Sequence, residues 1–382
     1  MSKILIRYAE IGLKGKNRKD FERLLINHIR QSVNPEKITL SQKQIILLVK
    51  SNLINQTIAK LKQVFGIAWF SPVAESPSHL KSIISKTVTI AKKQISSKNT
   101  FAVQAQRIDK TLPFTSQDLA IKVGQAVRIA AKAKVDLTHP SQTIYLSCYK
   151  DFTFIYFNKI QGPGGLPVGS AGKVLSLLSG GFDSIVASYL LAKRGAQVDF
   201  LHFHVFPDYN RVLDSKIKTI IDKLSQFTLS HKLYLASYLF FQMKVLDLPL
   251  SQVKQELVGF RRLMVKVGEQ LAKKYGYQAL VLGDSLGQVA SQTMENICAV
   301  DQAVEIPVFR PLIGMDKKDI ISLVRQIGLE SETNKPYKDC CSIISTHPAT
   351  KANMDKIKQL ESAINLDQIA VKISQNVQII NL

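Results

Sequence analysis

Long apolar segments, secretory signals and cysteine motifs are all missing from this 382-residue sequence. No apolar run approaches the roughly 20 residues that a membrane-spanning helix needs, and charged residues interrupt the N-terminus too early for a signal peptide. The sequence has four cysteines and no C-x-x-C pair, so neither a zinc ribbon nor a thioredoxin-type motif is indicated. These absences predict a cytoplasmic protein that has no membrane partner and needs no disulfide bonds.

Acidic residues are also scarce. Lys and Arg total 51 against 29 Asp and Glu, which gives a formal net charge of +22. Residues 1–170 hold 26 basic and 9 acidic residues, a net of +17, and the remainder hold 25 and 20, a net of +5. Such an excess is typical of a domain that binds a polyanion. Solubility alone and an acidic membrane surface are the alternatives. No amphipathic basic helix with a strongly apolar face is present, so nucleic acid is the favoured partner of the N-terminal half.

Apolar periodicity divides the chain before residue 166 into two α+β patterns, residues 1–60 and residues 61–165. The first pattern predicts strands over residues 4–8 and 45–49 and a helix from Asp20. The second predicts strands over residues 64–70, 101–105, 144–148 and 152–157, and helices over 80–95 and 116–131, with Ser116 as N-cap. Residues 162–170 contain four glycines and two prolines, which neither a helix nor a strand accommodates. They are predicted to form a linker. It either only connects the flanking domains or also helps to close a functional site.

Strands and helices alternate after residue 166. Strands are predicted over residues 174–178, 198–203, 232–236 and 279–282, and the intervening and following helices end near residues 194, 227, 274 and 327. This alternation predicts a doubly wound parallel sheet covered by helices on both faces. The fold class is therefore α/β, with residues 166–382 as a single domain.

A glycine turn after the first of these strands is the clearest chemical signal. Its sequence is Ser179-Gly180-Gly181-Phe182-Asp183-Ser184, between an apolar strand and a predicted helix. Glycines let backbone N–H groups converge on an anion, and the helix N-terminus adds a favourable potential. Ser179 and Ser184 can donate hydroxyl hydrogen bonds to phosphate, and Asp183 beside phosphates requires a cation, which suggests Mg²⁺. The turn lacks both the G-x-x-x-x-G-K-[ST] and the G-x-G-x-x-G arrangements.

Two further features belong to the same half of the chain. Residues 283–293 are mostly small or polar and follow a buried strand, which is where nucleotides bind in doubly wound sheets. Arg261 and Arg262 lie in a predicted helix among apolar residues, where an unpaired guanidinium would be costly. Their partner is either a structural carboxylate or a phosphate group. Of the cysteines, Cys148 and Cys298 are expected to be structural, whereas Cys340 and Cys341 form an unusual adjacent pair.

Taken together, these motifs resemble those of the tRNA 4-thiouridine synthases, or tRNA sulfurtransferases, over nearly the whole chain. The matching stretches are residues 7–18, 164–169, 179–184, 283–293, 310–317 and 339–341. The turn at 179–184 is similar to the PP-loop of ATP pyrophosphatases, which transfer AMP rather than phosphate. The resemblance implies an N-terminal ferredoxin-like domain and a THUMP domain, both of which hold tRNA, followed by a PP-loop ATP pyrophosphatase domain.

The resemblance also implies the chemistry. ATP adenylates O4 of the uridine at tRNA position 8, and a persulfide on Cys341 then replaces that oxygen with sulfur. Lys335 and Lys338 lie close in sequence and would favour a Cys341 thiolate. Asp183 and Cys341 are the implied catalytic residues, with Asp183 also the magnesium ligand. The implied ATP contacts are Leu177, Leu178, Ser179, Gly180, Gly181, Ser184, His202, Phe203, Arg261, Gly283 and Gln292.

One departure from the family pattern concerns the sulfur donor. Longer members carry a C-terminal rhodanese domain with a second reactive cysteine, whereas the 41 residues after Cys341 contain none. We therefore expect sulfur to arrive directly from a cysteine desulfurase. A secondary role as sulfur donor in thiamine thiazole synthesis stays open, and so does the oligomeric state, a homodimer among the alternatives. The alternative functions are another PP-loop tRNA-modifying adenylating enzyme and a catalytically silent tRNA-binding protein.

Overall fold

The structure, a computed structural model, describes residues 1–8, 10–41, 44–249, 255–340 and 349–382. The chain forms two compact units, Met1–Gly165 and Leu166–Leu382. The division falls within the glycine- and proline-rich segment at residues 162–170. Among the described residues, no helix combines the length and the apolar character that a bilayer span requires.

The N-terminal unit is built on a nine-stranded sheet. Its strands are β1 (Ser2–Arg7), β2 (Lys37–Ser41), β3 (Gln44–Val49), β4 (Trp69–Pro77), β5 (Thr100–Arg107), β6 (Lys134–Val135), β7 (Gln142–Cys148), β8 (Phe152–Tyr156) and β9 (Ile160–Gln161). They lie in the order β2-β3-β1-β4-β8-β7-β5-β6, and β9 pairs with β4. Strand β4 joins the two halves of the sheet because its first residues pair with β1 and its last residues pair with β8.

Four helices pack on this sheet: α1 (Arg18–Val33), α2 (Ile54–Leu61), α3 (Leu80–Gln94) and α4 (Ser116–Ala131). The side chains that alternate along β1 show which face of the sheet α1 covers. Ile4 and Ile6 share a buried cluster with Leu25 of α1, whereas Leu5 between them belongs to a separate, largely aromatic cluster. Successive side chains of a strand point to opposite faces, so α1 covers one face and the aromatic cluster lies on the other.

The strand predicted over residues 64–70 is wrong. Strand β4 begins at Trp69, and the residues before it form an irregular segment. Gly66 has a φ of 99°, which ends any extended conformation at that point. Val64 and Ile67 are nevertheless buried in the core. The apolar run therefore indicated burial correctly but not backbone conformation.

The N-cap of α4 also differs from the prediction. Thr115, not Ser116, caps the helix. The Thr115 hydroxyl oxygen accepts the Asp118 N–H at 3.0 Å, and the Asp118 carboxylate accepts the Thr115 N–H at 3.2 Å. This reciprocal capping box satisfies two backbone donors, where a single N-cap would satisfy one.

The C-terminal unit is built on a six-stranded sheet. Its strands are β10 (Lys173–Leu177), β11 (Gln197–His204), β12 (Lys232–Ser237), β13 (Ala279–Val281), β14 (Val308–Phe309) and β15 (Gln378–Asn381). They lie in the order β14-β13-β10-β11-β12-β15, and all pairs are parallel except β12 with β15. The predicted parallel sheet is confirmed, with an additional antiparallel strand at one edge. The strand order reverses at β10, whose carboxyl end is therefore the topological switch point.

Helices cover both faces of this sheet. They are α5 (Phe182–Lys193), α6 (Asn210–Leu213), α7 (Lys216–Thr228), α8 (Leu239–Leu246), α9 (Glu256–Tyr275), α10 (Met294–Asp301), α11 (Lys317–Ile327), α12 (Glu330–Thr333), α13 (Met354–Ile364) and α14 (Leu366–Gln375). Ser176 of β10 hydrogen-bonds Ser188 of α5 at 2.8 Å. Its neighbours Leu175 and Leu177 pack in the cluster that contains Leu263 of α9. Since alternate residues face opposite sides, α5 and α9 lie on opposite faces of β10.

Candidate functional site

The turn between β10 and α5 has the geometry of an anion-binding loop. Gly180 has a φ of 81°, in the left-handed region that favours glycine, and a Cβ there would lie 2.3 Å from Cδ1 of Ile217. Gly181 is the N-cap of α5. The first N–H groups of a helix have no intrahelical partner and carry a favourable potential for anions. The backbone of this turn can therefore hold phosphate oxygens.

Two serines hold the turn closed. The Ser179 N–H donates to the Ser184 hydroxyl oxygen at 3.2 Å, and the two hydroxyl oxygens lie 3.2 Å apart. The Ser184 hydroxyl also donates to the carbonyl oxygen of Gly181 at 3.1 Å. These contacts fix both hydroxyl groups beside the phosphate-binding backbone.

A cavity of about 220 Å³ opens beside this turn at the carboxyl ends of the strands. Both polar and apolar residues line this cavity, as a nucleotide site requires. Nine of the thirteen residues predicted for the site line it: Leu177, Leu178, Ser179, Asp183, Ser184, Phe203, Arg261, Gly283 and Gln292. Gly180 and Gly181 lie in the adjoining turn, and Cys341 lies outside the described residues.

Gly283 brings the end of β13 against the start of α5. A Cβ at this position would lie 2.6 Å from the carbonyl carbon of Asp183 and 2.7 Å from the nitrogen of Ser184. These are backbone atoms, so no side-chain rotation could relieve the overlap. Only glycine allows the two loops to approach this closely, and the approach closes one wall of the cavity.

Arg261 lines the cavity and is fixed by acceptors on two loops. Its guanidinium donates to Asp284 Oδ1 at 2.6 Å and to the carbonyl oxygen of Ser291 at 2.6 Å. The other oxygen of Asp284 accepts from Arg310 at 2.8 Å. Arg310 also donates to both oxygens of Asp301, at 2.7 and 3.0 Å, so each guanidinium has a carboxylate partner and the network holds Arg261 at the cavity wall.

Arg262 has a different role from its neighbour. It forms two hydrogen bonds with Glu361 of α13, at 2.6 and 3.2 Å, and a third with the carbonyl oxygen of Ala299. Both side chains are largely buried. Both arginines therefore have a carboxylate partner, which is the structural alternative left open by the sequence. Arg261 differs from Arg262 in that it also lines the cavity.

Gln292 lines the cavity and has an acceptor atom that is unpartnered within the described part of the chain. The residue is 8% exposed, and its Oε1 atom is buried without a hydrogen-bond partner among the described residues. Buried acceptors in native proteins are nearly always satisfied. A ligand with an N–H group, such as an adenine amino group, would complete this site, so the residues present fit ATP.

Asp183 is paired with a lysine in this structure. Both of its oxygens contact Nζ of Lys317, at 2.8 and 3.0 Å, and Oδ2 also accepts from Gln288 at 3.0 Å. No group of three metal-ligating side chains occurs among the residues that the structure describes. Magnesium usually binds one or two carboxylates together with substrate phosphates. Asp183 therefore fits an ion that arrives with ATP, provided that Lys317 shares the carboxylate.

His202 lies beneath the turn rather than in the cavity. It is completely buried, and burial lowers the pKa of its imidazole to about 4. Its Nδ1 lies 2.7 Å from the carbonyl oxygen of Leu178, and its Nε2 lies 2.7 Å from the hydroxyl oxygen of Tyr337. Neither ring nitrogen is available to a ligand. Tyr337 was missed at the level of sequence, although it lies three residues before the cysteine pair.

The three cysteines that the structure describes differ in their surroundings. Cys340 is buried, lines the cavity and donates its S–H to the carbonyl oxygen of Phe203 at 3.4 Å. Cys148 is buried in the N-terminal unit, where burial raises the pKa of its thiol. Cys298 is exposed on α10, so it is not part of the core, and its expected structural role stays a prediction.

Comparison with known protein families shows to which family the chain belongs. Residues 169–366 match the family model of the thiamine biosynthesis protein ThiI. Residues 3–71 match the ThiI ferredoxin-like domain, and residues 77–158 match the THUMP domain. The chain belongs to the ThiI family of tRNA sulfurtransferases. The fold class predicted from the sequence is thereby confirmed.

Relatives of known name are similar in sequence to this chain over nearly its full length. A probable tRNA sulfurtransferase of Caldanaerobacter subterraneus is 33% identical over 379 residues, which is 98% of each chain. One of Thermoanaerobacter pseudethanolicus is 36% identical over 362 residues, which is 94% of each chain. The crystal structure of a 4-thiouridine synthetase–RNA complex with bound ATP superposes with a TM-score of 0.89 at 28% identity and covers 100% of both chains.

Proposed function

We propose that this chain is an ATP-dependent tRNA sulfurtransferase that makes 4-thiouridine at tRNA position 8. One observation carries the proposal most directly. A single cavity is lined by the glycine turn, by Arg261 and Gln292, and by Cys340, the residue before the proposed sulfur carrier. An adenylating site and a sulfur-transfer site must share the same uridine, so they have to lie in one cavity. The ATP-bound 4-thiouridine synthetase–RNA complex, which has the same fold, supports the same assignment.

The first step is adenylation. The uridine O4 attacks the α-phosphorus of ATP while the N3 proton of the uridine is lost to water. A bond forms between O4 and phosphorus, the bond between this phosphorus and the bridging oxygen breaks, and pyrophosphate leaves. The backbone of the turn and the serine hydroxyl groups at its ends bind the pyrophosphate oxygens, while Arg261 and Lys317 supply positive charge. Gln292 accepts a hydrogen bond from the adenine amino group. Asp183 would hold a magnesium ion bound to the phosphates, and such an ion would offset the charge of the leaving group.

The second step replaces oxygen with sulfur. The terminal sulfur of a Cys341 persulfide attacks C4 of the adenylated uridine, and AMP leaves with the former O4. A thiol then attacks Sγ of Cys341, which forms a disulfide with that cysteine and leaves the other sulfur on C4 as 4-thiouridine. A dithiol reductant restores both thiols. In this proposal a cysteine desulfurase supplies the persulfide sulfur.

The N-terminal residues supply the tRNA-binding surface in this proposal. Residues 1–170 carry a net charge of +17, and counterion release from tRNA would drive binding to such a surface. Residues 1–60 form the ferredoxin-like domain, residues 61–165 the THUMP domain and residues 166–382 the adenylation and sulfur-transfer domain. The proposal also includes a homodimeric state and a secondary role as sulfur donor in thiamine thiazole synthesis.

The decisive experiment is mass spectrometry of nucleosides from unmodified tRNA. The protein is incubated with tRNA, ATP, magnesium, cysteine and a desulfurase, and Cys341→Ser is treated in parallel. We expect 4-thiouridine with the wild type only, and tRNA-dependent pyrophosphate release with both proteins. A different thiolated nucleoside would indicate another PP-loop enzyme. Absence of both pyrophosphate and thiolated nucleoside would indicate a silent tRNA-binding protein.

A further inference from the structure

Contacts near both ends and in the middle hold the segment that leads to the cysteine pair. Residues 335–339 have no helical or strand structure. At the N-terminal side, Nζ of Lys216 donates to the carbonyl oxygen of Thr333 at 2.8 Å. At the C-terminal side, Cys340 donates to the carbonyl oxygen of Phe203 at 3.4 Å. Between these two points, the Tyr337 hydroxyl group lies 2.7 Å from Nε2 of His202.

The protonation state of His202 follows from its contacts. The carbonyl oxygen of Leu178 can only accept, so Nδ1 carries the proton and donates it. Burial lowers the pKa of His202 to about 4, so near neutral pH Nε2 carries a lone pair and accepts from the Tyr337 hydroxyl group. One neutral imidazole thus connects Tyr337 with the carbonyl group of the residue that precedes Ser179 and the glycine turn.

We propose that Tyr337 is a positioning residue for sulfur transfer, because its hydrogen bond to His202 fixes residues 335–340 against the cavity. The inference rests on the function proposed above. The carbonyl group of Leu178, which precedes the glycine turn, keeps its bond to His202 Nδ1 when the tyrosine hydroxyl is removed. The segment that precedes Cys341, in contrast, loses its hydrogen bond to His202. Sulfur transfer should therefore depend on Tyr337 more than adenylation does.

Tyr337→Phe tests this inference because it removes the hydroxyl group and keeps the ring. The Tyr337 ring packs edge-on against Phe206 with centroids 5.8 Å apart, and phenylalanine preserves this contact. Phe206→Leu is the matched control, since it disturbs that packing and leaves the hydrogen bond to His202 intact. Two rates are measured for each variant in single turnovers: tRNA-dependent pyrophosphate release and 4-thiouridine formation.

We expect Tyr337→Phe to release pyrophosphate at the wild-type rate and with the wild-type KM for ATP. Its 4-thiouridine formation should fall roughly tenfold, the loss expected for a hydrogen bond worth about 1.4 kcal/mol. Phe206→Leu should leave both rates unchanged. Equal losses in both rates of Tyr337→Phe, wild-type thiolation in that variant, or an equal thiolation loss in Phe206→Leu would each overturn the inference. Failure of the proposed function is distinguishable, because the wild type itself would then form no 4-thiouridine.

Discussion

Replacing Gly283 with alanine should disable the nucleotide site while leaving the fold in place. The added methyl group would lie 2.6 Å from the carbonyl carbon of Asp183 and 2.7 Å from the nitrogen of Ser184, whereas ordinary contacts begin at 3.4 Å. The start of α5 and the loop after β13 must therefore separate by about 0.8 Å. Overpacking of this kind costs about 1–3 kcal/mol.

The strain of Gly283→Ala falls on the part of the backbone that is proposed to bind phosphate. Shifting the first turn of α5 moves its N–H groups away from the positions that a bound pyrophosphate group would need. Since 1.4 kcal/mol corresponds to tenfold in affinity, we expect the Kd for ATP to rise by about tenfold or more. Affinity for tRNA should stay unchanged, because the basic N-terminal residues are unaltered.

Gly259→Ala provides the matched control for this experiment. Its added methyl group would lie 2.7 Å from Cδ2 of Leu360, the end of a side chain that can rotate. Isothermal titration calorimetry with ATP and thermal unfolding are measured for both variants. We expect a modest loss of stability in both and a loss of ATP affinity only in Gly283→Ala. Wild-type ATP affinity in Gly283→Ala would refute the proposed nucleotide site.

Three further predictions concern charge. Asp183→Ala should abolish pyrophosphate release, because the carboxylate beside the phosphates is lost. Its tRNA affinity should stay within about twofold of the wild type, because the basic surface is unchanged. Normal turnover in this variant would exclude Asp183 as the magnesium ligand. Arg262→Ala should lower the free energy of unfolding by about 3–5 kcal/mol in urea titrations, because Glu361 loses its buried partner, and an unchanged midpoint would contradict this. The pKa of His202 is lowered from 6.5 to about 4, so the unfolded state binds a proton that the folded state rejects. His202 should therefore contribute a loss of about 3 kcal/mol in stability as the pH falls from 6.5 to 4, in addition to the loss from His28, whose pKa burial also lowers to about 4. A His202→Asn variant with the same pH dependence as the wild type would argue against this assignment.

Local patterns in the sequence were sufficient for much of the catalytic unit. The short apolar strand, the glycine turn and the following helix were predicted at residues 174–194 and lie at Lys173–Lys193. Parallel pairing followed from the alternation of strands with helices. The same reasoning failed at residues 64–68, where side-chain burial and backbone conformation are separate properties and Gly66 decides the second.

The sequence by itself determined which residue types surround the nucleotide site, because their positions follow from strand ends and from a glycine turn. Only the tertiary structure decided which charges meet there. Lys317 lies 134 residues from its partner Asp183, and Tyr337 lies 135 residues from His202. Hydrogen bonds and ion pairs between distant elements leave no periodic signal along the chain, because they depend on how helices and loops converge at one end of the sheet. For the same reason the edge strand β15 could not be predicted from local sequence, since it pairs with β12, which lies far from it along the chain.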